Sequence, residues 1–198
     1  LDLTGAGINI TELGSSAQFQ DMTGSGYQNR TAWAGAGNGV LVFDVNANGS
    51  IDSSNEFQFT EWDSTATTDM QALRDVFDTN HNGQLDAGDA NFAAFKVMVT
   101  NADGTTTLHT LAELGIASIN LTTDNYRNVL ADGSVIAGRT TFMRTNGTTG
   151  TVADVSLEET VSVAAEGIAF ETVPAVAPAK PAEVIPFPVR EDIRDDIL

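Results

Sequence analysis

Cysteine is absent from all 198 residues, which excludes disulfides, thiolate catalysis and thiolate zinc sites. Histidine is nearly absent too. His81 and His109 leave little for a zinc or haem centre, so any metal here is a hard ion held by oxygen. Basic residues are scarce: nine Lys and Arg stand against 27 Asp and Glu, for a formal net charge of −18. Nucleic acid and anionic lipid both need a positive surface, so neither is expected as a main partner. No apolar run reaches the length of a membrane span. The opening LDLTGAGINI has neither the basic nor the apolar region of a cleavable signal peptide. Proline is missing until Pro174.

All five prolines lie between Pro174 and Pro188, whereas all eighteen glycines lie at or before Gly167. This segregation divides the chain into a body, 1–172, and a Pro-rich tail, 173–198, expected to be extended. Val189, Ile193 and Ile197 recur at helical spacing, giving the tail a short amphipathic end that could engage a protein partner or larger assembly. Within the body, turn signals are dense and elements short. Val40-Leu41-Val42-Phe43 is a short apolar run leading into Asp44. Met70, Leu73, Val76 and Phe77 recur at helical spacing behind the capping residues Thr67-Thr68-Asp69, predicting a helix that ends at Asp78. Residues 96–100 and 105–108 read as paired strands, and 111–114 with Gly115 as one helical turn and its cap. Residues 116–121 read as a further strand. Asp132-Gly133 and Asn146-Gly147 are hairpin signals. The expected fold is α+β, with EF-hand-type calcium loops and short helices over 1–95 and an antiparallel hairpin sheet over 96–172.

Asp78-Thr79-Asn80-His81-Asn82-Gly83-Gln84-Leu85-Asp86-Ala87-Gly88-Asp89 fits a twelve-residue calcium loop. Asp78, Asn80 and Asn82 offer side-chain oxygens at positions 1, 3 and 5. Gly83 permits the positive-φ turn at position 6. Gln84 offers its carbonyl, Leu85 anchors the loop, Asp86 stands at the water-mediated position 9, and Asp89 closes the ring. A helix precedes this loop, and residues 91–95 are expected to continue as helix beyond it. Asp44-Val45-Asn46-Ala47-Asn48-Gly49-Ser50-Ile51-Asp52 repeats the pattern, with Asp44, Asn46, Asn48, Ser50 and Asp52 as donors. Here the closing acid is displaced to Glu56, one residue beyond position 12. Two calcium ions are therefore expected. Each loop holds only three carboxylates, which points toward the ~10⁻⁴–10⁻³ M affinities of extracellular modules. Asp2-Leu3-Thr4-Gly5-Ala6-Gly7 and Asp21-Met22-Thr23-Gly24-Ser25-Gly26 share the frame without its carboxylates, and read as tight turns.

The order LDLTGAG, DMTGSGYQNRTAW, GVLVFDVNANGSIDSSNEF, FDTNHNGQLDAGD and LAELGIASINL resembles the self-processing module of RTX-type secreted bacterial proteins. The resemblance covers about residues 1–122. It implies an extracellular, calcium-folded module. It also implies calcium-triggered, single-turnover cleavage of an Asp-Pro bond upstream of the LDL segment, with the freed aspartyl able to join a lysine. The chain departs from that pattern at its first two turns, which are D-x-D-G-D-G in the family, and at Thr100-Asn101-Ala102-Asp103-Gly104. These departures imply fewer bound ions. No Asp-Pro bond lies within the chain.

No other catalytic constellation is present, and no catalytic residue is assigned. His81 sits at an outward-facing loop position, and His109 has no partner in sequence. The favoured reading is a calcium-stabilised structural or adhesive module of a secreted protein, with autocatalytic self-processing as the alternative. A dockerin-like partner binder is a third reading, because paired D-x-N-x-N-G loops occur there. The 34-residue spacing and the long following sheet speak against it. The closing DDIL looks like the end of a type I secretion signal.

Overall fold

The computed structural model describes residues 1–160 and the pair Val173–Pro174. The expectations for the remainder of the tail, including its amphipathic end, lie outside the described residues. Among the described residues thirteen strands, β1–β13, are assembled entirely through antiparallel pairs. β1 (Ile10–Thr11) pairs β4 (Trp33–Ala34). β3 (Tyr27–Arg30) lies between β2 (Phe19–Gln20) and β13 (Val173–Pro174). β7 (Phe95–Thr100) lies between β5 (Gly39–Phe43) and β8 (Thr106–Thr110). The largest sheet is built on β11 (Val135–Arg144), which has β12 (Thr149–Ser156) along one edge. Its other edge meets β10 (Asn128–Val129) and β9 (Ile116–Asn120), and β9 in turn pairs β6 (Gln84–Asp86).

The hairpin expectations hold. Asp132-Gly133 turns β10 into β11, and Asn146-Gly147 turns β11 into β12. Gly115, at φ 64°, closes the turn before β9, whose Ile116 N–H reaches back to the Leu111 carbonyl. The pairing of 96–100 with the following strand is present as β7 and β8.

The α+β expectation, with EF-hand helices, is overturned. One helical segment of nine residues exists among the described residues: a turn of α-helix, α1 (Asp69–Ala72), widening into a π turn, Leu73–Phe77. Thr68 caps it, its hydroxyl accepting the Gln71 N–H at 3.2 Å. No α-helix leaves either loop, and only the 3-10 turn Phe59–Trp62 follows the first. Residues 91–95, expected to be helical, make only the 3-10 turn Phe92–Ala94 before Phe95 enters β7. The reason is tertiary. Phe95-Lys96-Val97-Met98-Val99 has the alternating, β-branched character of a strand, and it finds five consecutive partners in β5, from Phe43↔Phe95 to Gly39↔Val99. Pairing of that extent wins over a local helical preference.

The core explains where the loops sit. Phe43, Phe59, Trp62, Phe77 and Phe95 form one aromatic cluster, with Phe43 ring centroids 5.1 Å from Phe77 and 4.9 Å from Phe95. Each of these three phenylalanines immediately precedes a charged residue: Asp44, Asp78 and Lys96. Tight packing of the rings therefore fixes both loop entrances and a lysine against one another. Among the described residues no helix is long and apolar enough to cross a membrane.

Candidate metal centre

The two Asp-x-Asn-x-Asn-Gly loops have the same backbone shape. Position 4 is left-handed in both, at Ala47 (φ 54°) and His81 (φ 57°), and position 6 is the positive-φ glycine, Gly49 (78°) or Gly83 (79°). Ala47 and His81 are the non-glycine residues with positive φ among those described. That conformation costs an L-residue roughly 1–2 kcal/mol, so the loop must be held by other contacts. Those contacts are the side-chain oxygens expected to be ligands. In 44–56, Asp44 accepts the N–H groups of Asn48 (3.1 Å) and Gly49 (3.1 Å), and Asn46 also accepts Asn48 N–H (2.9 Å). Asn48 accepts Ser50 N–H (2.7 Å) and donates from Nδ2 to Asp52 (3.2 Å). In 78–89 the same bonds recur. Asp78 accepts Asn82 and Gly83 N–H (3.0 and 2.8 Å), Asn80 accepts Asn82 N–H (3.0 Å), and Asn82 accepts Gln84 N–H (2.8 Å) and donates to Asp86 (2.9 Å).

Burial follows the same plan in both. The ends are sealed, with Asp44, Glu56, Asp78 and Asp89 all buried, and residues 45–50 and 79–82 are exposed. Asp52 is exposed and Asp86 half-buried, so it is the end carboxylates of each loop that are withdrawn from water. Leu85, fully buried in β6, pins the second loop to Ile119 of β9, as its position in the sequence implies. The π turn delivers Asp78, whose N–H bonds back to the Leu73 carbonyl at 3.2 Å.

The closures differ, and the difference bears on what each loop could hold. Asp89 is saturated. Its Oδ1 accepts the N–H groups of Thr79 (2.8 Å) and Asn80 (3.3 Å) and the Thr79 hydroxyl (3.3 Å), and its Oδ2 accepts Asp86 N–H (2.9 Å). Glu56 is not. Its Oε2 accepts Asp52 and Ser53 N–H (2.7 and 3.0 Å), but Oε1 is buried with no partner, on a side chain with 0% exposure. The neighbouring Asn55 Oδ1 is likewise buried and unpartnered. A buried carboxylate oxygen without a donor is costly, and a hard cation at loop 44–56 is the partner its chemistry fits. Glu56 is thus turned back onto its own loop, bonded to Asp52 and Ser53. Among the described residues, no three Asp, Glu, His or Cys side chains form a ready cage. In each candidate donor set three of the six residues are carboxylates and the other three offer neutral oxygen.

Residues that sequence reasoning passed over also meet at these loops. Lys96 Nζ donates to Asp44 Oδ2 at 2.5 Å, and this bond, with the Gly49 and Asn48 N–H groups, holds the Asp44 carboxyl below the usual range. No local sequence signal marks Lys96, because the β5–β7 register that sets it opposite Val42 joins segments some fifty residues apart. Asp86 is held low by the Gly88 N–H and then Asn82. Trp62 Nε1 donates to the Asn55 carbonyl at 2.7 Å, bracing the closing turn. The turns at Asp2 and Asp21 keep the backbone of the frame, with Gly5, Gly7, Gly24 and Gly26 all at positive φ. Their carboxylates are satisfied internally: Gly7 and Gly26 N–H donate at 2.8 and 2.6 Å, and the Thr4 and Thr23 hydroxyls donate where position 3 would otherwise offer an acceptor.

The repeated frame, in this order along the chain, matches a family model described as the SPM domain over residues 1–158. The chain belongs to the SPM domain family. The match takes in both complete loops, the two reduced turns and every sheet up to β12. The SPM domain is also 32% identical, over 169 residues, to the iron-regulated protein FrpA of Neisseria meningitidis serogroup C. That alignment covers 79% of this chain and 15% of FrpA.

Proposed function

We propose that this SPM domain is a calcium-binding structural module of a secreted, RTX-like bacterial protein, its fold completed by cations at loops 44–56 and 78–89. The observation that carries the reading is Glu56 Oε1, buried and unpartnered at the closing position of a loop whose first carboxylate, Asp44, is also buried. The shared backbone of the two loops supports a second site at 78–89. Asp44, Asn46, Asn48, Ser50, Asp52 and Glu56 would hold one ion, and Asp78, Asn80, Asn82, Gln84, Asp86 and Asp89 the other. The acidic net charge suits a protein that works in millimolar calcium outside the cell. Titration calorimetry on chelator-treated protein tests this directly. Two binding events are expected, and silence up to ~10 mM calcium overturns the reading, because even the weak extracellular class fills there.

One feature favours a further role in calcium-triggered cleavage of an Asp-Pro bond ahead of Leu1 in a longer chain. The segment from Leu1 to Leu3 is threaded into the body: Asp2 N–H donates to the Thr151 carbonyl (2.9 Å), Leu3 N–H to Gly37 (3.3 Å), and the Arg144 guanidinium to the Leu3 carbonyl (2.9 Å). A peptide bond just ahead of a segment held this way would be fixed in geometry by the folding of the domain. A precursor carrying that bond should be cleaved on adding calcium and stay intact in chelator, as read by mass spectrometry.

A further inference from the structure

The two loops share their internal hydrogen bonds, yet one of them contains a cation of its own. Lys96 projects from β7 onto Asp44 of loop 44–56, and both groups are largely withdrawn from water, with side-chain exposures of 21% and 3%. Loop 78–89 has no equivalent. Among the described residues the ion pairs are Lys96–Asp44, Arg74–Asp75 and Arg139–Asp124. Arg74, which shares a recess with Asp78, is therefore turned to Asp75 at 3.2 Å. The lysine is not there by accident of a flexible chain. Phe95, directly before it, packs on Phe43, directly before Asp44, so the core sets the ammonium and the carboxylate side by side.

An ammonium on a buried carboxylate does two opposing things. Without metal it removes the cost of leaving Asp44 charged and unpaired, and so keeps the loop entrance folded. With metal it places a second positive charge on a carboxylate that the incoming ion must share, which lowers affinity. We infer that Lys96 is the resident cation of loop 44–56, holding Asp44 when no metal is bound and competing with a divalent ion for that carboxylate. Removing that ammonium therefore tightens loop 44–56 and leaves loop 78–89 as it was. This rests on the reading that both loops bind calcium.

The test uses the whole chain as wild type, Lys96→Met, Lys96→Gln and Lys96→Arg, titrated with calcium by calorimetry and with terbium by luminescence excited through Trp62, which touches the closing turn of loop 44–56. The wild type should give two steps, the one at loop 44–56 lost in Glu56→Gln and the one at loop 78–89 lost in Asp78→Asn. In Lys96→Met and Lys96→Gln the loop 44–56 step should tighten by about tenfold, the order expected for removing one positive charge from a shared carboxylate. The loop 78–89 step should stay put. Lys96→Arg, which keeps the charge, should behave as wild type. In chelator the two neutral variants should melt below wild type, and in calcium that gap should close. A loop 44–56 step unchanged or loosened in both neutral variants overturns the inference while leaving the calcium reading intact. Absence of binding in the wild type overturns the calcium reading and the inference with it.

Discussion

Glu56→Gln separates the two roles that Glu56 plays in this structure. As a hydrogen-bond acceptor it is replaceable, because the glutamine carbonyl can take over the Asp52 and Ser53 N–H groups now held by Oε2. As a buried charge with an unpartnered Oε1 it is not. In chelator the substitution exchanges an unpaired charged oxygen for an unpaired neutral amide, so stability should be unchanged or rise by up to about 1 kcal/mol. In calcium the result reverses. A site filled at a hundredfold excess over its Kd adds roughly 2.7 kcal/mol to folding, and the variant forgoes this at one of two loops. For a domain of this size each kcal/mol moves Tm by roughly 2–4 °C, so the variant should melt about 5–10 °C below wild type in calcium. The assay is a pair of thermal melts, each followed by near-ultraviolet dichroism, in calcium and in chelator. A crossing of the two melting orders is expected. If the calcium-induced rise in Tm is the same in both proteins, Glu56 does not close a cation site, and its bare oxygen must be explained in another way.

Two further outcomes follow from the core and from a second acid cluster. Leu85→Ala removes a fully buried side chain from β6 inside loop 78–89, and urea unfolding should register a loss of about 3 kcal/mol in chelator and in calcium alike. Asp69 and Asp154 face each other where α1 meets β12, and burial, reinforced at Asp69 by the Asp154 charge, raises both, Asp69 to about 6. A carboxyl raised in the folded state gives stability that is complete below its unfolded value near 4 and is lost as pH climbs to about 6. Asp69→Asn should therefore gain on the order of 2 kcal/mol at pH 7 and nothing at pH 4, as read from urea midpoints across that range. Equal effects at both pH values would show that Asp69 carries no such penalty.

What the sequence disclosed about the fold depended on how local the cause was. The turns at Asp132-Gly133 and Asn146-Gly147 are dictated by two adjacent residues, and each hairpin stands where its dipeptide puts it. Leu85 was legible as an anchor because the loop frame fixes its position. The helix before Asp78 was legible as far as its cap at Thr68, but not its widening into a π turn. The missing exit helix is the instructive failure. Asn91-Phe92-Ala93-Ala94-Phe95 has helical composition, yet Phe95 is claimed by a strand whose partner lies some fifty residues earlier, and no window of local sequence contains that partner. The two-residue strands β1, β2 and β4 are too short for any periodicity to mark them.

The candidate site divides along the same line. Its candidate donors lie within one short segment each, so spacing is enough to mark them, and the structure links the segment's residues by hydrogen bonds. What separates one ring from the other is not consecutive. Lys96 reaches Asp44 across a sheet, and the saturation of Asp89 depends on Thr79, which spacing alone marks as a spacer residue. Two loops of near-identical motif therefore differ in the property that governs ion affinity, which is how well each carboxylate is satisfied before the ion arrives. A motif specifies which atoms can coordinate. The tertiary neighbours decide how much is gained when they do, and here they leave one oxygen of Glu56 bare while occupying both of Asp89.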